Sequence, residues 1–340
     1  MERSKVLIIY TGGTIGMFKN EATGALEAFD FDHLLNYVPE LKRFDIQIDT
    51  LPFEPVDSSA ISTDLWIKLV ATIENNYEKY DGFVILHGTD TMAYSASALS
   101  FMLENLQKPV IFTGSQLPIG QLRTDGKENL IAAIEIAGEK KESQSIVQEV
   151  CIFFQSKLFR GNRARKYNAE YFDAFESPNY PVLAEVGIDI KYNKYALNKM
   201  QTAKIVHFHK KMNTNVGVIK LFPGISKKIV EAMINIEGLK GIVLETYGAG
   251  NAPTEKWFVE LLKKATEKKI AIMNVSQCNA GSVKLGLYET SRIFLELGVV
   301  SGKDITTEAA VTKMMFLAGL DLSYDKLKYF LANNIAGEMS

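Results

Sequence analysis

Cysteine is nearly absent from this sequence. Its 340 residues include two, Cys151 and Cys278, far apart and each in apolar surroundings. Neither a disulfide framework nor a thiolate metal centre can organise such a chain, and the pair is expected to be free, buried thiols. Net charge is lacking as well: Lys and Arg total 38 against 40 Asp and Glu, a formal charge of -2 with 23% charged residues. That balance gives no field to gather nucleic acid or an anionic membrane, and it suits a small, neutral or zwitterionic ligand. No apolar run approaches the length of a membrane span. The run 6–10 has neither the length of a signal-peptide core nor a small-residue cleavage pattern, so a cytoplasmic protein is expected. Asn274-Val275-Ser276 matches a glycosylation acceptor, but it lies in the apolar run 270–275 and is treated as chance.

Cofactor signatures are missing too. The triphosphate cradle G-x-x-x-x-G-K-[ST] does not occur, and Gly12, Gly13 and Gly16 are spaced G-G-x-x-G rather than as a dinucleotide fingerprint. Gly248-Ala249-Gly250 meets Pro253 where the third glycine of that fingerprint belongs, and G-x-S-x-G is absent. His207 and His209 would share a strand face without a third ligand at metal spacing, so they are expected to make local polar contacts.

What is present is alternation. Short apolar runs at 6–10, 83–87, 110–113 and 150–154 alternate with helical patterns at 65–73, 93–106 and 130–136, and the alternation resumes with strands at 216–220, 241–245 and 271–275 and helices at 225–234, 254–268 and 306–318. This predicts an α/β protein: a doubly wound, mostly parallel sheet in a larger N-terminal domain over 1–190, and a second, smaller α/β domain over 213–340. The polar stretch 191–212 is the expected linker. At 340 residues the chain exceeds the usual size of a single core.

Ligands of open parallel sheets bind beyond the carboxyl ends of the strands, so the loops there carry the functional information. In order they are T-G-G-T-I-G with Thr11 and Thr14, V-D-S-S with Asp57, Ser58 and Ser59, G-T-D-T with Thr89 and Asp90, T-G-S-Q ending at Gln116, and F-R-G-N-R-A-R-K ending at Lys166. Paired glycines let backbone approach a ligand closely. Threonine is a weak nucleophile that needs a neighbouring base, and a lysine among Arg160, Arg163 and Arg165 is suited to that task. Asp90 would hold the ammonium of an amino acid or orient Lys166, and Asp57, Ser58 and Ser59 could read amino and carboxylate groups. Together the loops suggest acyl transfer through threonine.

The pair T-G-G-T-I-G and H-G-T-D-T, with Lys166 closing G-N-R-A-R-K, resembles the bacterial asparaginases, and D-S-S with Y-G-A-G-N-A-P resembles their cytoplasmic, type I branch. The similarity spans essentially the whole chain. It implies hydrolysis of L-asparagine to L-aspartate and ammonia, no metal or cofactor, and a homodimer or homotetramer with active sites at subunit contacts. Thr14 matches the nucleophile, Thr89, Asp90 and Lys166 the second catalytic cluster, and backbone N–H groups near Thr14 and Thr89 the oxyanion donors. Broader glutaminase-asparaginase activity and a non-catalytic amino acid sensor are the alternatives. Many family members carry a tyrosine in the loop after the first motif. Residues 19–29 here contain none, with Ala25 near the expected place. In certain type I enzymes a regulatory asparagine binds partly to an arginine at the position of Glu245, opposite Ser276 and Cys278, and glutamate there predicts no such binding.

Overall fold

Val6, Leu7, Ile8, Ile9 and Tyr10 are all buried, so no face of their strand alternates toward water. Such a run satisfies itself only inside a parallel sheet covered on both sides. The computed structural model, which describes residues 3–19, 26–28, 38–198, 204–286 and 289–340, has that architecture. Its compact units divide between Lys210 and Lys211.

In the first unit one sheet contains β1 (Ser4–Tyr10), β2 (Ile46–Pro52), β3 (Gly82–Leu86), β4 (Val110–Thr113), β5 (Val150–Phe154), β6 (Lys157–Arg160), β7 (Ala184–Val186) and β8 (Ile190–Tyr192). Their order is β8-β7-β6-β5-β4-β3-β1-β2. The first five strands run parallel, and β6, β7 and β8 are added antiparallel. Helices α1 (Thr63–Asn76), α2 (Met92–Met102) and α3 (Gly126–Gly138) make the crossovers. On one face Val6, Ile8, Val84, Ile111 and Phe153 pack with Leu130, Ala133, Ile134 and Ala137 of α3. Each fully buried valine, leucine, isoleucine or phenylalanine side chain there stabilises the fold by about 1.5 to 3 kcal/mol.

The parallel strands have the order 2-1-3-4-5. From β1 the chain moves outward to β2, then returns across β1 to β3 and continues in the other direction. The segments leaving the carboxyl ends of β1 and β3 therefore diverge, and a crevice opens between them. The T-G-G-T and H-G-T-D-T motifs stand at those two ends.

Two sequence expectations change here. The strand ending near Gln155 does not enter a loop. Gln155 and Ser156 take positive φ of 47° and 63°, a two-residue hairpin turn that folds β6 back on β5. Lacking the usual Asn-Gly, the turn carries no sequence signal. Within the stretch expected as a linker, β8 joins the large sheet and His207–Phe208 pairs with Leu103–Glu104, while His209 Nε2 contacts Glu104 at 2.9 Å. Apolar or aromatic residues on one side of these short strands suffice to dock them.

The second unit is simpler. Strands β9 (Val216–Lys220), β10 (Gly241–Thr246), β11 (Ala271–Ser276) and β12 (Val300–Ser301) lie parallel in sequential order. Val230 and Ile234 of α4 (Lys227–Ile234) and Phe258 and Leu262 of α5 (Lys256–Glu267) cover Ile219, Ile242, Leu244 and Ile272. Asn274 is fully buried. Cys151 is free and buried as expected, but Cys278 is exposed, because β11 ends at Ser276 and the apolar run ends with it.

Candidate active site

The loop after β1 is stitched to the end of β3: both the backbone N–H and the hydroxyl of Thr11 donate to the Leu86 carbonyl, at 3.0 and 2.9 Å. Gly12 and Gly13 then take φ of 119° and 92°, which side chains resist. Space forbids a side chain as well. A Cβ on Gly13 would lie 2.5 Å from Gly88 N, one on Gly12 2.3 Å from the Val56 carbonyl, and one on Gly88 2.6 Å from Ser58 Oγ. Three loops thus converge on one point, and Thr14 and Thr89 each directly follow a member of the touching pair Gly13 and Gly88.

Thr14 opens a single 3-10 turn, Thr14–Gly16. The Tyr10 hydroxyl supports that turn by donating to Gly16 O at 3.1 Å, and burial raises the Tyr10 pKa to about 12. Thr14 is half-buried, and its hydroxyl has no hydrogen-bond partner among the described residues. Residues 20–25, where the resembling family carries its loop tyrosine, lie outside the described residues.

Lys166 comes from a two-stranded ribbon, Arg165–Lys166 against Phe175–Glu176. Its Nζ donates to Thr89 Oγ1 at 2.8 Å and to Asp90 Oδ1 at 2.7 Å. The Lys166 side chain is 16% exposed and that of Asp90 67%, so Nζ is fixed beneath a carboxylate that faces solvent. The arginines expected around Lys166 are engaged differently. Arg160 forms a buried ion pair with Glu149 at 2.6 Å and lies over the Tyr180 ring, which Arg163 also faces at 5.0 Å. The hairpin turn at Gln155 places Arg160 in a strand, which redirects it.

Gln116 was not among the expected site residues, yet it joins two of the loops. Its Oε1 accepts from the Thr89 hydroxyl at 3.2 Å, and its Nε2 donates to the carbonyls of Ala169 and Tyr171 at 3.2 and 3.1 Å. Asp125, whose carboxyl is pushed up by burial, accepts from the backbone N–H groups of Gln116 and Leu117 and holds that loop. The motif T-G-S-Q marked Gln116 as a loop residue, and only the fold reveals its partners. His87 is the other residue whose role the sequence concealed. It is buried, with Nδ1 2.7 Å from the Gly88 carbonyl.

Asp57 caps the short turn Ser58–Ala60. Hydrogen bonds from the Ser59 hydroxyl, then from the Ser59 N–H, hold its carboxyl below the ordinary value. The buried Ser58 packs on Gly88, and its carbonyl accepts from the Thr91 hydroxyl at 2.7 Å. Thr89, Asp90 and Lys166 are therefore in direct contact. Thr14 and Ser58 meet the same loop through Gly13 and Gly88, and no hydrogen bond joins Thr14 to Lys166 among the described residues.

A family model described as Asparaginase, N-terminal matches residues 5–198, and one described as Glutaminase/Asparaginase C-terminal domain matches residues 215–331. The chain is 38% identical over 348 residues to L-asparaginase 1 of Escherichia coli (strain K12), covering 100% of this chain and 99% of that protein. It is 40% identical over 360 residues to the 60 kDa lysophospholipase of Homo sapiens, covering 99% of this chain and 61% of that longer protein. Among solved structures, L-asparaginase I from Vibrio cholerae O1 matches with a TM-score of 0.90 at 39% identity, over 100% of both chains.

Proposed function

The chain belongs to the asparaginase family, and we propose that it hydrolyses L-asparagine to L-aspartate and ammonia with Thr14 as nucleophile. The observation that carries this reading is the contact between Gly13 and Gly88. It brings the residues that follow, Thr14 and Thr89, to the mouth of a switch-point crevice, the first with no hydroxyl partner among the described residues and the second bonded to a lysine.

The Thr14 hydroxyl attacks the side-chain amide carbon, ammonia leaves, and water hydrolyses the acyl-enzyme. Lys166, fixed between Thr89 and Asp90, acts as a neutral amine: the Thr89 hydroxyl turns from Gln116 to pass it the proton of Thr14, and the lysine returns that proton to the leaving ammonia. Asp57, Ser58 and Ser59 receive the amino and carboxylate groups of the substrate together with Thr89 and Asp90. The backbone N–H groups beside Thr14 and Thr89 meet the developing oxyanion, a role worth about 3 to 4 kcal/mol per donor. The protein works in the cytoplasm as a homodimer or homotetramer, without a cofactor.

Ammonia release measured side by side on asparagine and glutamine tests this. One methylene separates the two substrates, and a closely fitting pocket converts it into about 1 to 3 kcal/mol. A strong but incomplete preference for asparagine is expected. Equal kcat/KM values would make the protein a glutaminase-asparaginase, and no ammonia from either would leave the sensor.

A further inference from the structure

The buried His87 takes no part in the chemistry above, yet it grips one of the peptides on which that chemistry depends. Resting on the asparaginase reading, we infer that His87 is a positioning residue: through Nδ1 it fixes the Gly88–Thr89 peptide so that the Thr89 N–H points at the reacting carbonyl.

The hydrogen bonds define its state. Nδ1 lies 2.7 Å from the Gly88 carbonyl, and a carbonyl only accepts, so Nδ1 carries the proton. In the neutral ring Nε2 then accepts, and the Ser95 hydroxyl at 2.8 Å supplies the donor. Ser95 Oγ in turn accepts from Trp66 Nε1 at 2.8 Å. His87, Ser95 and Trp66 are 1%, 0% and 7% exposed, so water cannot substitute for any link. The backbone is fixed from the other side as well, since the His87 N–H donates to Thr113 O at 3.0 Å.

Gly88 C=O and Thr89 N–H belong to one planar peptide, in which the two groups point in opposite directions. Holding the carbonyl against the imidazole turns the N–H away from it. That N–H has no acceptor among the described residues. An open peptide donor is costly inside a protein and is what a developing oxyanion needs. Glycine at 88 lets the peptide sit there, because a Cβ would strike Ser58. Histidine beside it supplies one donor and one acceptor without charge, matching the two bonds it makes.

The test separates the ring's two nitrogens. The amide of His87→Asn reaches the place of Nδ1 and keeps a donor for Gly88 O, whereas the amide of His87→Gln reaches the place of Nε2, keeps Ser95 and abandons the carbonyl. The expected result on asparagine is kcat within about threefold of the parent for His87→Asn. For His87→Gln a loss of roughly ten- to a hundred-fold is expected, with KM little changed, because the donor acts in the transition state. A merely structural histidine predicts activities that follow the thermal midpoints instead. The imidazole nitrogen NMR signals of the unmodified enzyme give a second readout that needs no variant: the proton should reside on Nδ1. Equal kcat in the two variants, the reverse order, or a proton on Nε2 would overturn the inference. An unmodified protein that releases no ammonia from asparagine would instead overturn the functional reading on which it rests.

Discussion

Both units of this protein end parallel strands in loops rich in glycine and hydroxyl groups, yet the two carboxyl edges are spent differently. At the first, strand order reverses beside β1. The loops diverge, and the Thr14 hydroxyl is left without a partner among the described residues. At the second, order is sequential and polar groups satisfy each other. The Thr246 hydroxyl donates to Asn274 Oδ1 at 2.6 Å, Asn274 Nδ2 to Gly250 O at 3.2 Å, and the Ser276 hydroxyl to Gly248 O at 2.7 Å. On the proposed reading, the same residue types become reactive groups where topology opens a crevice and structural ties where it does not.

Exchanging one threonine at each edge breaks the comparison most severely. Thr14→Val is expected to abolish turnover and any trappable acyl-enzyme while moving the thermal midpoint little, since its hydroxyl bonds nothing described. Thr246→Val is expected to do the reverse. It leaves buried Asn274 short of a partner, costing about 1 to 3 kcal/mol, with kcat per folded molecule retained. Mass spectrometry of quenched reactions and denaturant titration check the pair, and a stability loss at Thr14 with activity intact would undo the contrast.

Lys166→Met comes next. The variant keeps the length of the stem but loses both bonds, to Thr89 and to Asp90. Because Asp90 is largely exposed, water can solvate it, and folding is expected to survive. The loss should appear in kcat, by roughly a hundred-fold or more. Near-normal steady-state rates would remove Lys166 from the proton path.

Stability against pH measures how deeply the first edge is buried. Burial lowers the His87 pKa to about 4, below the usual value near 6.5. The unfolded chain therefore binds a proton that the folded one refuses between those values. The sign is fixed: the full contribution is present above about pH 6.5 and is lost progressively as pH falls toward 4, to a total of about 3 kcal/mol. Urea titrations at both pH values should show a smaller drop for His87→Asn than for the parent. An equal drop would mean that the imidazole is not the group titrating.

The sequence displayed much of this arrangement and concealed some of it for definite reasons. Periodicity located β1, β3, β4 and β5, whose buried runs have no other stable setting, and the glycine-flanked threonines marked the loops. The resemblance assigned their roles. Hidden were features that depend on partners distant in sequence. Gln116 becomes informative only when Thr89 and Ala169 arrive beside it. His87 does so only when α1 and α2 bring Trp66 and Ser95. Arg160 belonged by sequence to a basic cluster around Lys166, but an unsignalled two-residue turn gave it to Glu149. Local patterns specify elements, whereas the ownership of a charge is decided by tertiary geometry.

The smallest expected effect is none at all, and it lies at the second edge. If that edge could bind a second asparagine that favours one state of the enzyme, the rate would rise sigmoidally with substrate. The groups that would face such an effector are already occupied. Glu245 Oε1 accepts from the Thr307 hydroxyl at 2.6 Å, and Oε2 lies 3.7 Å from Lys220 Nζ. Ser276 Oγ donates to Gly248 O and accepts from Cys278 N. A carboxylate approaching Glu245 would meet like charge where an arginine would have offered a bidentate fork. Initial rates are therefore expected to follow a hyperbola across the whole asparagine range, unchanged in form by Glu245→Gln, which removes the repulsion but supplies no cation. A sigmoidal curve that becomes hyperbolic when Glu245 or Cys278 is replaced would show that the second edge binds asparagine after all, and that a sequential sheet can hold a ligand without a switch point.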